Sequence, residues 1–144
     1  MKFCYFSACC ITAALLLHPA LAASPCDGTS TPDGEACERL HLSQAEAELD
    51  RYTEAAIHKM QTSTAPAQTL AHFHEAQVAW KLFRKEECNA VYSAWSDGTI
   101  RDTMELICAT RLTEGRTYEI WYNWLTFPDS TPPLLPEPPL KRGR

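Results

Sequence analysis

Four cysteines that follow an N-terminal leader place the strongest constraint on how this chain can fold. Three of the seven cysteines lie within residues 1–22, and the remaining four are Cys26, Cys37, Cys88 and Cys108. An even number of cysteines in a small exported chain indicates a disulfide framework. Their spacing contains no short Cys-x-x-Cys pair of the kind that structural zinc sites use. We therefore expect two disulfides and no metal site.

Residues 1–22 have the pattern of a signal peptide. Lys2 precedes an apolar stretch over residues 3–17, and the Ala-Leu-Ala sequence at 20–22 is typical of a cleavage site. The apolar stretch is too short to anchor the chain in a bilayer. A lipoprotein signal at Cys9 or Cys26 fits the neighbouring residues less well. We predict a periplasmic or secreted protein of bacterial type, with no membrane insertion after signal cleavage.

The exported part has the length of one domain, and its apolar residues recur at helical spacing. We predict a short helix from Thr31, a long helix after a capping box at residues 43–46, a second helix over about 66–95 and a third from about 100. Pro128 ends the third helix. The predicted fold is all-α: a small antiparallel three-helix arrangement with a short N-terminal helix and two disulfides. The folded domain covers residues 23–127, and residues 128–144 form a proline-rich disordered tail.

An up-down-up order of the helices brings three of the cysteines to one end of the domain. We favour the pair Cys88–Cys108, which brackets the turn between the second and third helices, and the pair Cys26–Cys37, which ties down the N-terminal arm. A Cys37–Cys88 pair is also geometrically possible, and the sequence leaves this alternative open.

The second helix carries one informative stripe of side chains. Trp80, Arg84 and Cys88 are successive i,i+4 neighbours, and Gln77 precedes them on the same face. A guanidinium on an inward face needs a carboxylate partner, because an unpaired buried charge is costly. Arg116 on the third helix can play a similar part. We expect a structural salt bridge, with a ligand-binding arginine as the alternative. The candidate partners of Arg84 are Glu48, Asp50 and Glu114.

Four elements in this order resemble the LprI-type lysozyme-inhibitor family. Residues 77–88 resemble its Q-x-x-W-x-x-[YF]-R-x-x-x-C signature, residues 47–52 its E-L-N-x-x-Y element, and residues 108–116 its C-x-x-x-L-T-x-x-R element. The cysteines at 26 and 37 match the family's paired leading cysteines. The resemblance covers about residues 26–120. In place of the family's Gly-Gly turn before the last cysteine, this chain has Ser-Asp-Gly-Thr at 96–99.

The resemblance implies an exported envelope binding protein that inhibits a lysozyme-type muramidase by occluding its cleft. Without Lys2 the chain has 12 basic and 18 acidic residues, a net charge of −6. This charge argues against nucleic acid as a partner and suits a basic protein partner. The alternative function is a structural or interaction module of the envelope that does not inhibit lysozyme.

The sequence shows no convincing catalytic, cofactor or metal site. His72 and His74 point to nearly opposite sides of a helix, and Val78 replaces the second histidine of a zincin motif. The abundant carboxylates are explained by helix caps, salt bridges and solvated faces. We predict that the protein is not an enzyme and binds no cofactor.

Two regions are candidates for binding a protein partner. Trp121 and Trp124 share one face after the third helix, where they either complete the core or form an apolar patch. The second region is the turn beside the proposed Cys88–Cys108 bridge, because rigidly anchored loops often carry contacts. Its four residues are Ser96, Asp97, Gly98 and Thr99.

Overall fold

The computed structural model describes residues 24–139, and over this range the chain contains helices and no strand. A 3-10 turn at Pro25–Asp27 is followed by three α-helices and one π-helical turn: α1 at Thr31–Gln61, α2 at Pro66–Ala94, α3 at Arg101–Ile120 and the π turn at Trp121–Leu125. None of the described helices is both long and apolar enough to cross a membrane. The all-α prediction of three helices is confirmed, and a short 3-10 turn precedes them. The separate short helix predicted from Thr31 is instead the first part of α1. The predicted signal peptide lies outside the described residues.

The first helix is longer than the sequence indicated. Ser30 caps it, since the Asp33 N–H donates to Ser30 Oγ at 3.3 Å and the Ser30 N–H donates to Asp33 Oδ2 at 3.1 Å. The Ser30 hydroxyl and, to a smaller extent, the Ser30 N–H both donate to the Asp33 carboxylate, and these two bonds hold its pKa below the usual value. The prediction that a separate helix begins at Ser43 was wrong. No Gly or Pro separates Cys37 from Ser43, so the helix continues through that position and Ser43 stays exposed.

The apolar core lies toward one end of the bundle, where α1 ends, α2 begins and α3 passes into the π turn. The α1 stripe of Leu49, Tyr52, Ala56 and Met60 meets Phe73 of α2 there. From the other side come Ile120, Trp121 and Leu125. Because α3 packs against both other helices while α1 and α2 touch much less, α3 is the central element of the bundle.

Helix α2 buries only three of its 29 residues, Phe73, Gln77 and Cys88. Its outer face leaves large apolar side chains in solvent, and Val78, Leu82 and Phe83 are each more than half exposed. Apolar burial alone therefore attaches α2 weakly to the rest of the fold.

The two disulfides pair as the sequence analysis favoured. Cys26 bonds to Cys37, with Cα atoms 4.7 Å apart, and Cys88 bonds to Cys108, with Cα atoms 5.6 Å apart. The first ties the N-terminal arm to α1. The second joins the end of α2 to α3 and is buried. The alternative Cys37–Cys88 pair is excluded.

The proline-rich segment after Pro128 differs from the disordered tail that the sequence predicted. Over residues 129–139 it has no regular secondary structure but packs against the helices, and Leu135 contacts the apolar core. The Tyr52 hydroxyl donates to Pro136 O at 2.7 Å, and Trp121 Nε1 donates to Leu135 O at 3.0 Å. Two buried polar side chains thus receive backbone partners from the tail. Burial also raises the pKa of the Tyr52 hydroxyl. Residues 140–144 lie outside the described residues.

Two adjacent leucines test whether the tail packs in solution. Leu135→Ala should lower the free energy of unfolding by about 1–2 kcal/mol, because a half-buried leucine loses roughly half of what a fully buried one does. Leu134→Ala is the matched control, since that side chain is 51% exposed and should change stability little. Urea unfolding followed by tryptophan fluorescence measures both variants. Equal effects of the two substitutions would contradict the packed tail.

Candidate functional site

The four side chains of the α2 stripe, Gln77, Trp80, Arg84 and Cys88, face the other two helices. Gln77 and Cys88 are buried, and the remaining two are half-buried. Gln77 and Arg84 make polar contacts in the middle of the bundle, and the Trp80 ring lies against Arg84. Cys88 belongs to the disulfide at the end of α2. The stripe therefore lies along the interface of α2 with the other two helices.

Arg84 joins all three helices. Its Nη1 donates to Glu46 Oε1 of α1 at 2.9 Å and to Thr113 Oγ1 of α3 at 2.8 Å. Its guanidinium also lies over the Trp80 ring, 5.2 Å from the centroid, which is cation–π geometry. The predicted interhelical carboxylate partner is present, but it is Glu46, which was not among the predicted candidates. Glu46 was missed because it was assigned to the capping box of a helix start that does not exist.

Arg116 is the second half-buried arginine of this polar layer. Its Nε donates to Gln77 Oε1 at 2.7 Å, and Gln77 Nε2 in turn approaches Thr53 Oγ1 of α1 at 3.4 Å. Burial lowers the pKa of Arg116, and the charge of Glu119 partly offsets this effect. An arginine remains charged in proteins, so these bonds compensate its desolvation.

Threonines of α3 complete the polar layer. Thr113 is fully buried, and its hydroxyl accepts from Arg84 while donating to Ala109 O at 2.7 Å. The Thr117 hydroxyl donates to Thr113 O at 3.0 Å. Each of these hydroxyls has a partner inside the domain, and the contacts support a structural role for Gln77, Trp80, Arg84 and Arg116.

The two tryptophans proposed as partner-binding candidates belong to the core. Trp121 is buried and donates to the tail, and Trp124 is half-buried with its ring edge-on to Phe73, the centroids being 5.8 Å apart. The π turn that carries both indoles packs against α1 and α3, and Trp124 also reaches Phe73 of α2. Of the two readings of these aromatics, the structure supports core completion, and only their neighbour Tyr122 is strongly exposed.

The turn at residues 96–99 is the other candidate, and the structure leaves it accessible. Ser96, Asp97 and Thr99 are exposed, and the Gly98 N–H donates to Trp95 O at 2.9 Å. The flanking Trp95 and Ile100 are 43% and 39% exposed, which adds apolar surface to both sides of the turn. These two residues were not predicted as partner-binding candidates, although their position beside the turn is visible in the sequence.

Neighbouring contacts anchor this turn firmly. Arg101, the first residue of α3, places its guanidinium 5.3 Å from the centroid of the Tyr92 ring at the end of α2. The buried Cys88–Cys108 disulfide ties the same two helices together. We name residues 95–100 the pole loop: a short exposed segment held at both ends.

A cavity of about 300 Å³ lies between α1, α3 and the tail. Its lining includes His41, Glu48, Glu114 and Thr117, and the prolines at 138 and 139 close one side. A disordered tail would leave this space open to solvent, which is why the sequence analysis missed it.

A group of possible metal ligands was also missed. The Cys26 and Cys37 sulfurs and a ring nitrogen of His41 all lie within 4.8 Å of one another. His41 is half-buried against the disulfide. The four-residue spacing of Cys37 and His41 was the available signal. His72 and His74, in contrast, are exposed on α2.

Comparison with known proteins gives one result. The model of the family described as "Lysozyme inhibitor LprI" matches residues 26–120. The matched segment begins at the first cysteine of the fold and ends at the last residue of α3. No curated protein and no solved structure matches the chain significantly.

The polar layer predicts a large effect of removing Arg84. Arg84→Ala should lower the free energy of unfolding by about 2–3 kcal/mol, because it deletes charge-assisted bonds to two other helices. Arg84→Lys should restore only part of that loss, since the lysine nitrogen is one bond closer to the backbone than Nη1 and has no planar group to lie over the Trp80 ring. Lys81→Ala, at an exposed position of the same helix, is the control. An Arg84→Ala protein with an unchanged unfolding midpoint would show that the arginine is not structural.

Proposed function

Because the chain belongs to the LprI lysozyme-inhibitor family, we propose that it is an exported binding protein that inhibits a lysozyme-type muramidase. The observation that carries this proposal is the family match, which spans α1, α2 and α3 completely. The protein acts by occluding the cleft of the muramidase, and it performs no chemistry of its own.

The proposed location is the periplasm or the exterior of a bacterial cell. The signal-peptide pattern in residues 1–22 and the two disulfides support it, because such bonds persist in oxidising compartments. A lysozyme-type enzyme acts on the cell wall, so the inhibitor and its target would share this side of the membrane.

The pole loop is the part of the surface best suited to enter a cleft. It offers the Trp95 ring, the Asp97 carboxylate and the Ile100 side chain within six consecutive residues. Exposed aromatic side chains are frequent energetic anchors of interfaces. Since the disulfide and the Arg101–Tyr92 contact already order the loop, binding would cost little further conformational entropy.

Charge supports the same kind of partner. The exported chain has a net charge of −6 and Asp97 lies at the tip of the loop, whereas a basic enzyme would bring positive charge to the contact. Opposite potentials increase the association rate more than the final affinity. Inhibition should therefore set in more slowly as the salt concentration rises.

The inhibition assay is a titration of the purified protein into several lysozymes while lysis of cell walls is followed by turbidity. We expect dose-dependent inhibition of at least one enzyme. Absence of inhibition of every enzyme at micromolar excess would refute the inhibitor function. Lysis by the protein alone would refute the proposal that it has no catalytic activity.

Single substitutions test the contact surface separately. Trp95→Ala should weaken inhibition by roughly 30-fold or more, the effect expected of an interface anchor worth about 2 kcal/mol. Tyr122→Ala removes another exposed aromatic, beyond the far end of α3, and should leave inhibition unchanged. If Leu82→Ala weakens inhibition and Trp95→Ala does not, the contact surface is the outer face of α2 and not the pole loop.

A further inference from the structure

We propose that Cys26, Cys37 and His41 form a Zn²⁺ site when the Cys26–Cys37 disulfide is reduced, so that a metal ion replaces the covalent link between the N-terminal arm and α1. The proposal concerns the end of the molecule where α1 begins and is independent of lysozyme inhibition. Thiolate sulfur and imidazole nitrogen are the ligand types that Zn²⁺ prefers.

The three ligand atoms already converge. Cys37 and His41 lie four residues apart on α1, which places both side chains on one face of the helix. His41 Nε2 lies 3.9 Å from the Cys37 sulfur and 4.0 Å from the Cys26 sulfur. The imidazole nitrogen therefore points at both sulfurs of the bridge.

A carboxylate orients the imidazole from behind. Glu38 Oε2 lies 3.3 Å from His41 Nδ1, and both side chains are largely buried. With the proton on Nδ1, His41 donates to Glu38 and leaves the Nε2 lone pair free to coordinate a metal. This carboxylate–imidazole arrangement accompanies most histidine ligands of zinc.

Reduction is required because a sulfur atom in a disulfide is not a thiolate. A dithiol can supply the two electrons: one thiolate attacks a bridge sulfur, a mixed disulfide forms, and the second thiol resolves it. The products are the thiols of Cys26 and Cys37 and the oxidised, cyclic disulfide of the reductant. Cys26 is exposed to such a reductant, whereas Cys88 and Cys108 are only 3% and 4% exposed.

The arm has room for the adjustment that a metal requires. Tetrahedral Zn–S bonds of about 2.3 Å place two sulfurs about 3.8 Å apart, so they must separate by roughly 2 Å. Cys37 is fixed on α1, but Cys26 belongs to an arm whose residues 26–30 are exposed. Movement of this arm opens the bridge without disturbing the core. Three protein ligands leave the fourth position to water.

The test uses the exported protein purified from a periplasmic expression host. It is reduced mildly with a phosphine, which is then removed, and mass mapping identifies the free thiols. Zn²⁺ affinity is measured by competition with a chromophoric chelator, and Co²⁺ is used to detect sulfur-to-metal charge transfer. We expect only Cys26 and Cys37 to be free, one metal ion bound per chain, and no binding before reduction.

Variants decide which side chains coordinate the ion. His41→Ala should weaken Zn²⁺ binding by at least tenfold, and Glu38→Gln by roughly 10–100-fold. His58→Ala, at an exposed histidine of the same helix, is the control and should have no effect. The proposal is overturned if the reduced protein binds no Zn²⁺, if binding does not depend on His41, or if the Cys88–Cys108 bond is reduced together with the first.

Discussion

The attachment of α2 is the constraint on which the rest of this structure depends. A helix of 29 residues that buries only Phe73, Gln77 and Cys88 cannot be held by apolar contact alone. It is held instead at three levels: Phe73 in the core, Gln77 and Arg84 in the polar layer, and Cys88 in a disulfide. Each level uses a different kind of interaction. Loss of any one would leave the helix attached by the other two.

The contacts that attach α2 also account for the sequence pattern along this helix. In this chain the residues that resemble the signature, Gln77, Trp80, Arg84 and Cys88, are the side chains that bind α2 to its neighbours, so the pattern marks how the bundle is built. A structural signature is independent of which partner the protein recognises. The exposed surfaces, chiefly the pole loop and the outer face of α2, lie outside these contacts and can vary without loss of the fold.

The tail packs over the end of the domain that contains the apolar core. Residues 129–139 bring backbone carbonyls to Tyr52 and Trp121, so the polar atoms of these buried side chains have hydrogen-bond partners. Proline suits this segment because it favours extended backbone and cannot donate hydrogen bonds that would need partners of their own. A proline-rich composition is therefore compatible with a packed segment as well as with a disordered one.

The sequence by itself determined the helical class, the approximate extent of α2, and the inward stripe from Gln77 to Cys88, because these depend on residue spacing along one helix. Only the tertiary structure decided the remainder: the partnership of Arg84 with Glu46, the burial of Trp121, the place of the tail and the approach of His41 to the first disulfide. These features join residues that are distant in the chain or that lie on separate elements. Periodicity shows which face of a helix turns inward, but packing selects which side chain it meets.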